Sequence, residues 1–88
     1  MRVTFHATIR EAAGTPEAEV RAASVWELLL KLRDMFGERL FSMLVEHDAL
    51  REDVVILING QNISHSGGLA TKLAADDDVA IFPPVSGG

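Results

Sequence analysis

The sequence predicts an α+β fold in which one main helix packs on one face of a mixed sheet. Strand patterns occur near both ends of the chain and in its middle, and one long amphipathic segment lies between them. A helix with one apolar stripe and a sheet with one apolar face bury each other's surfaces. The 88 residues, 48% of them hydrophobic, suffice for one core and are too few for an enclosed active site that holds several substrates. We therefore expect residues 1–88 to form a single domain that works with partners.

The first two strands are predicted from alternating apolar and polar residues. A strand is expected over residues 2–9, where apolar side chains occupy every second position: Val3, Phe5, Ala7 and Ile9. Turn-forming residues follow at 13–16, and a weaker alternation predicts a second strand over 17–22. The two strands should form a hairpin.

The main helix has clear start and stop signals. Ser24 and Glu27 have the spacing of a capping box, so the helix should begin at Val25 and end at Gly37 in a left-handed conformation. Its buried stripe is predicted from residues at helical spacing: Val25, Leu28, Leu29, Leu32, Met35 and Phe36. The next segment, 38–47, is either a second short helix or a packed irregular segment.

A second pair of strands is predicted in the middle of the chain. The apolar, β-branched run 54–58 should be a buried strand, and Asn59-Gly60 is the strongest short-range hairpin signal. Residues 61–63 should begin the return strand. The loop over 64–68 follows, and the segment after it should be anchored to the core by Leu69 and Leu73.

The last strand is predicted over 79–82, after a turn at 76–78. Pro83 and Pro84 should end it, because neither proline can donate a hydrogen bond to a sheet ladder. The order is strand, strand, helix, strand, short strand, strand, with no repeat and no dividing linker. With right-handed connections, this order predicts the β-grasp arrangement.

Composition excludes several classes of function. The net charge of −5 argues against nucleic acid as a partner, because phosphate binding needs clustered Lys and Arg, and it favours basic protein partners. The absence of cysteine removes disulfides and thiolate chemistry and fits a reducing compartment. The alternating N-terminus is unlike a signal peptide, and no apolar run approaches the roughly 20 residues of a membrane span. We expect a cytoplasmic protein.

The residues Gly87-Gly88 close the sequence and give the best clue to function. A backbone without Cβ atoms can slide, extended, into a channel too narrow for other residues. Residues 83–88 should therefore form an extended, flexible tail built for insertion. The alternative is a frayed end or a cloning remnant.

The chain resembles the small sulfur-carrier proteins of the MoaD/ThiS type, ubiquitin-like β-grasp proteins that include the small subunit of molybdopterin synthase. Four stretches carry the resemblance, and the last is the most specific: residues 3–14, the helix start at 24–29, the hairpin at 58–60 and the ending 79–88. In one departure, Asp77 stands where the family usually has glycine. The departure is modest, since Asp tolerates the left-handed conformation better than most residues.

The resemblance implies that this chain is a carrier without catalytic residues of its own. A separate adenylating enzyme, of the MoeB/ThiF type, would use ATP to activate the Gly88 carboxylate, and a persulfide would convert it to a thiocarboxylate. Gly87 would lengthen the narrow part of the tail, so that the Gly88 carboxylate can reach the active site of the partner. The thiocarboxylate would deliver sulfur inside the larger, MoaE-type subunit of molybdopterin synthase. No bound cofactor is expected.

Partner binding is expected at the tail and its root. The apolar residues beside the functional end should form the docking patch for both enzymes: Phe82, Pro83, Pro84, Val85 and Ser86. The alternative is that Phe82 and the prolines only close the core. We assign no metal site, because the three histidines lie in separate elements and Asp76-Asp77-Asp78 lacks the surrounding ligands of a calcium loop.

Three other functions remain open at this point. The middle of the chain looks more like a longer branch of the family, which includes carriers used in cysteine biosynthesis and archaeal protein modifiers. A carrier for thiazole or cysteine synthesis is therefore an alternative to molybdopterin synthesis. A modifier that joins Gly88 to lysines of other proteins is another, and a plain β-grasp binding module is the third.

Overall fold

A computed structural model describes residues 1–83 of the chain, and the expectations on Pro84 to Gly88 lie outside the described residues. The helices are α1 (Thr8–Ala13), α2 (Val25–Phe36) and α3 (Glu38–Leu44). The strands are β1 (Arg2–Phe5), β2 (Glu17–Glu19), β3 (Val45–Glu46), β4 (Ala49–Leu50), β5 (Val55–Ile58), β6 (Gln61–Asn62) and β7 (Asp78–Phe82). Short 3₁₀ turns occupy Ile63–His65 and Gly68–Ala70.

The main sheet is mixed and has the strand order β2-β1-β7-β5-β6. The two central strands, β1 and β7, are parallel, and every other neighbouring pair is antiparallel. Helix α2 lies in the connection between the antiparallel pair β1–β2 and the later strands. The predicted β-grasp fold is confirmed.

One face of this sheet and the stripe of α2 form the core. Val3 and Phe5 of β1, with Val79 and Ile81 of β7, are buried on this face. They share a core cluster with the buried side of α2: Val25, Leu28, Leu29 and Leu32. Phe36 is partly buried and meets the ring of Phe5 edge-on at 5.4 Å between centroids. Met35 is instead 50% exposed, so its predicted place in the buried stripe is wrong.

The predicted start of α2 is confirmed in detail. The Ser24 side chain accepts a hydrogen bond from the Glu27 amide at 3.2 Å. The Glu27 carboxylate accepts in turn from the amide of Ala23 at 3.1 Å, one residue before the position that an ideal capping box uses. At the other end Gly37 has φ 97° and ψ 174°, a conformation open to glycine but outside the left-handed helical region predicted.

The predicted strand over residues 2–9 is too long. β1 ends at Phe5, Ala7 takes φ 52°, and α1 follows. Ile9 is buried and Ala12 and Ala13 are partly buried, which is helical spacing, so the alternation through Ile9 coincides with one face of α1. Gly14 closes α1 at φ 77° by donating to the carbonyl of Arg10. The two strands pair antiparallel as expected, but a helix joins them, and β2 stops at Glu19 rather than at 22.

The segment after α2 begins with a short helix, which is one of the two forms predicted for residues 38–47. Glu38–Leu44 is a helix whose buried residues are Leu40 and Leu44. A small hairpin, β3–β4, follows it and was not predicted. Its turn consists of His47 and Asp48, at φ 54° and 59°, without the glycine that usually marks such a turn.

The later predictions hold with small changes of boundary. β5 and β6 pair through the Asn59-Gly60 turn, in which both residues have positive φ, 51° and 85°. Leu69 and Leu73 pack against the core as predicted. β7 ends at Phe82, directly before Pro83. Within the described part of the chain, no helix is long and apolar enough to cross a membrane.

Candidate functional site

The central strand β7 delivers the chain to the root of the predicted tail. β7 is paired along its length with β1 on one side and β5 on the other. Ile81 is fully buried, and its carbonyl accepts from the His6 amide at 3.2 Å. Pro83 then brings no N–H to the ladder. The tail therefore starts from a fixed point in the middle of the sheet.

The side chain at this point, Phe82, is half-buried under a histidine ring. The rings of His6 and Phe82 are stacked, with centroids 4.2 Å apart and an angle of 11° between their planes. Since Ile81 points into the core, Phe82 points to the opposite face of the sheet. The stack fixes the orientation of the last aromatic side chain before the tail.

His6 is held in place by its neighbours on β1 and β7. Its Nε2 lies 3.2 Å from Thr4 Oγ1, and the Thr4 hydroxyl donates to the carbonyl of Val79 at 3.4 Å. Backbone and side chain of His6 are thus both tied to β7.

Strand register extends this site into a continuous surface. Ala80 lies opposite Thr4 on one side and Leu57 on the other, while Phe82 lies opposite Val55. Partners in register point to the same face. This surface, which we call the open face, consists of six half-buried side chains: Thr4, His6, Val55, Leu57, Ala80 and Phe82.

Charged side chains border the open face at the end away from the tail. Arg2 Nε lies 3.5 Å from Asp78 Oδ1, and both side chains are exposed. On the outer strand β2, Glu17 and Glu19 are exposed and lie in register with Thr4 and Arg2. The surface therefore has the composition of a docking patch, with an apolar centre and a polar rim.

A network of hydrogen bonds fixes the beginning of β7. The Asn59 side chain donates to Asp77 Oδ1 at 2.9 Å and accepts from the Asp78 amide at 2.9 Å. Asp77 Oδ2 accepts from the Ala74 amide at 2.7 Å. These bonds to Ala74 and Asn59 favour the carboxylate form, so they lower the pKa of Asp77 below its usual value.

Asp77 does not take the left-handed conformation that glycine would take at this position of the family pattern. Among the described residues other than glycine, positive φ occurs at Ala7, His47, Asp48 and Asn59. Asp77 closes the turn through its carboxylate, which binds the Ala74 amide, and this bond replaces the left-handed glycine of the family pattern.

Of the predicted partner-binding residues, the structure places Phe82 and Pro83, both half-buried, at the end of β7. Pro84, Val85, Ser86, Gly87 and Gly88 lie outside the described residues. The sequence reasoning missed five members of the open face: Thr4, His6, Val55, Leu57 and Ala80. The alternation of β1 and β7 contained the signal for Thr4 and Ala80, whereas the neighbours on β5 follow only from its register with β7.

The described residues bring together few of the side chains that catalysis or metal binding uses. Among residues 1–83 no three His, Asp or Glu side chains are grouped closely enough to hold a metal ion. Nor do the described buried residues include a polar or charged side chain. The open face therefore offers apolar contact area for another molecule.

Comparison with known proteins decides the family. The model of the ThiS family matches residues 3–88, nearly the whole chain and its ending. The chain belongs to the ThiS family. This assignment supports the resemblance to ubiquitin-like sulfur carriers, although a particular closeness to the molybdopterin synthase subunit is not part of it.

Individual ThiS relatives match over their full lengths. Small archaeal modifier protein 3 of Haloferax volcanii is 34% identical, with 100% of this chain and 98% of that protein covered. A protein of Archaeoglobus fulgidus named as a sulfur carrier is 30% identical, with the same coverage. The solution structure of small archaeal modifier protein 1 from Methanosarcina acetivorans is 40% identical at a TM-score of 0.84, covering 99% of this chain and 94% of that one.

Proposed function

We propose that this ThiS-family chain is a sulfur carrier whose Gly88 carboxylate is activated by a partner and converted to a thiocarboxylate. The observation that carries the proposal is the root of the tail. A central strand, bonded on both sides, ends beside an apolar open face, and the Val85-Ser86-Gly87-Gly88 ending follows Pro83 and Pro84. A partner that binds the open face receives the tail at a fixed point.

Activation is necessary because a carboxylate is a poor electrophile at neutral pH. Its oxygen attacks the α-phosphorus of ATP, which releases pyrophosphate and leaves an acyl-adenylate. The terminal sulfur of a persulfide then displaces AMP from the acyl carbon. A second thiol then attacks the donor's sulfur in the resulting acyl disulfide. The second thiol and the donor form a disulfide, and the thiocarboxylate leaves. This chain contributes the carboxylate and the docking surface, and the activating enzyme contributes the catalytic groups.

The end of the tail is narrow, as is needed if its carboxylate must enter the active site of another protein. Gly87 and Gly88 carry no Cβ, so the acyl carbon can enter a channel formed by the partner's backbone. Val85 and Ser86 would line the mouth of that channel. The open face would hold the body of the carrier against the same enzyme, with Phe82 next to the channel.

Pyrophosphate exchange tests the first step. The activating enzyme from the source organism should catalyse exchange of labelled pyrophosphate into ATP when this chain is present. Deletion of Gly88 moves the terminal carboxylate back to Gly87 and should abolish the exchange, whereas Ala49→Ser, at an exposed position of β4, leaves the tail intact and serves as the control. Exchange that survives the deletion would remove Gly88 as the activated group.

For the sulfur acceptor we propose molybdopterin synthesis, because the Phe82-Pro83-Pro84-Val85-Ser86-Gly87-Gly88 ending resembles that branch best. The thiocarboxylate would then enter a MoaE-type subunit and pass its sulfur to a cyclic pterin precursor. Mixing the thiocarboxylated chain with that subunit and the precursor should regenerate the carboxylate. A thiocarboxylate that is stable under these conditions would favour cysteine or thiazole synthesis.

The identity to two small archaeal modifier proteins, 34% and 40%, favours protein modification as a second function. In that role a lysine amine of another protein displaces AMP from the same acyl-adenylate and forms an isopeptide bond. Digests of cells that express the chain should contain lysines linked to a fragment of this tail. Their absence under several growth conditions would leave the carrier function alone.

A further inference from the structure

We propose that Lys72 is the site at which a second copy of this chain becomes attached, so that the modifier forms isopeptide-linked chains. The inference rests on the proposed activation of Gly88 and adds the acceptor. The sequence contains two lysines, Lys31 and Lys72, and therefore two side-chain amines that could serve. Their surroundings differ in the structure.

Lys31 is engaged on helix α2. Its Nζ donates to the carbonyl of Arg21 and lies 3.4 Å from Glu27 Oε1, one helical turn away. Glu27 is the residue that also completes the cap of α2. To act as a nucleophile the Lys31 amine must leave both oxygens, so it is a poor acceptor.

Lys72 is exposed and is displayed from a fixed piece of backbone. The carbonyl of Thr71 accepts from the Val25 amide at 3.0 Å, and the Leu73 amide donates to the carbonyl of Ala23 at 3.0 Å. Between these bonds Lys72 forms a bridge with Ser24 at the start of α2. Within residues 1–83, no ion pair or side-chain hydrogen bond involves Lys72. Its side chain is therefore exposed to solvent, while hydrogen bonds of the neighbouring residues hold its backbone in place.

Lys72 also lies away from the proposed docking surface. β2 runs from Glu17, opposite Thr4, to Glu19, opposite Arg2, so the chain leaves β2 at the end of the sheet where β7 begins. Ser24 follows on that side and begins α2, which covers the core face. The tail root at Phe82 is at the other end of β7. A partner bound to the open face therefore leaves Lys72 uncovered.

This placement predicts open-ended chains. The donor's tail meets the acceptor at one end of the molecule, and the acceptor's own tail emerges at the other. Contacts of this head-to-tail kind are not self-complementary, so one link leaves the next acceptor site unoccupied and the contact can repeat. Each added copy presents a new Lys72.

The bond-forming step needs ATP and the activating enzyme. After Gly88 of the donor has been converted to an acyl-adenylate with release of pyrophosphate, the deprotonated Lys72 amine of a second copy attacks the acyl carbon. AMP leaves with the electron pair of the broken C–O bond, and the amine loses one proton to solvent as the amide forms. No oxidant or reductant is required.

The test combines this chain, its activating enzyme and ATP without a sulfur donor, and compares Lys72→Arg with Lys31→Arg. Arginine keeps the charge and has no nucleophilic amine at neutral pH. Exchange of labelled pyrophosphate into ATP reports activation, and intact mass reports a linked dimer. Lys72 is the last basic residue, so trypsin leaves the peptide 73–88 as the mark on a modified lysine.

We expect the natural chain and Lys31→Arg to give a dimer whose mark lies on Lys72, and Lys72→Arg to lose the dimer with pyrophosphate exchange unchanged. A dimer that persists in Lys72→Arg, or a mark on Lys31 or on the Met1 amine, would overturn the inference. So would activation of all three chains without any dimer. Absence of pyrophosphate exchange would instead count against the proposed activation of Gly88.

Discussion

At the scale of single residues, the stack of His6 on Phe82 is the feature most closely tied to the tail. His6 is bound to β7 twice, through its amide to Ile81 and through Thr4 to Val79. Phe82 is consequently held in one orientation where the chain passes to Pro83. The ring matters here for its shape, since it covers one side of Phe82.

Removing the ring should weaken recognition by the activating enzyme. We expect His6→Ala to raise the KM for the carrier about 2- to 10-fold, the range that an aromatic contact of about 0.5–1.5 kcal/mol predicts. His6→Phe keeps the stack and should stay near the natural value. The KM is measured from the rate of pyrophosphate exchange at varied concentrations of the carrier. Equal loss in the two variants would show that a nitrogen of His6, and not its stacking, is needed.

Asp77 makes stability depend on pH. Because two hydrogen bonds lower the pKa of Asp77 in the folded chain, its contribution is present above the usual carboxyl range and is lost as pH falls through the lowered pKa. Asp77→Asn should therefore reduce the fall in Tm as the pH is lowered below about 4. The control is Asp76→Asn, an exposed neighbour outside this network. If both variants keep the natural pH profile, the network does not stabilise the fold.

At the scale of elements, the position of α2 depends on its cap. Ser24 accepts from the Glu27 amide and, in its backbone, adjoins the segment that displays Lys72. Ser24→Ala should lower the free energy of unfolding by about 1 kcal/mol, as measured by urea unfolding. Ser42→Ala, in the middle of α3, should be neutral or slightly stabilising because alanine is the better helix former. Equal effects of the two substitutions would mean that the cap is unimportant.

The elements also show how far sequence patterns reach. Local signals located α2 and the Asn59-Gly60 hairpin, because the residues that cap and turn the chain lie next to them. The predicted strand extends to Thr8 and Ile9, which belong to α1, because Ile9 fits a period of two and of 3.6 equally well, and tertiary packing decides between them. The His47-Asp48 turn has no glycine signal. Its positive φ values depend on the pairing of β3 with β4.

At the scale of the whole molecule, the fold separates two surfaces. The tail root and the open face belong to the side of the sheet away from α2, and Lys72 lies beside the start of α2 at the opposite end. The sequence pointed to Phe82 and Pro83 from their proximity to the ending. It did not point to Val55 or Leu57, because their place beside Phe82 and Ala80 depends on strands far apart in sequence.

A substitution on the open face should separate docking from folding. We expect Leu57→Glu to raise the KM for the carrier by about 10-fold or more, since it places a charge at the centre of an apolar contact. Ala49→Glu, at an exposed position of β4, should have little effect. Melting temperatures of both variants confirm that they are folded. An unchanged KM for Leu57→Glu in a folded protein would exclude the open face as the docking surface.

The most direct test of the central claim is the intact mass of the chain after incubation with its activating enzyme, ATP and a sulfur donor. The account predicts a single shift equal to the replacement of one oxygen by sulfur, located on Gly88 and absent when ATP is omitted. An unchanged mass with an enzyme that releases AMP in the same mixture, or a shift that survives deletion of Gly88, would contradict it.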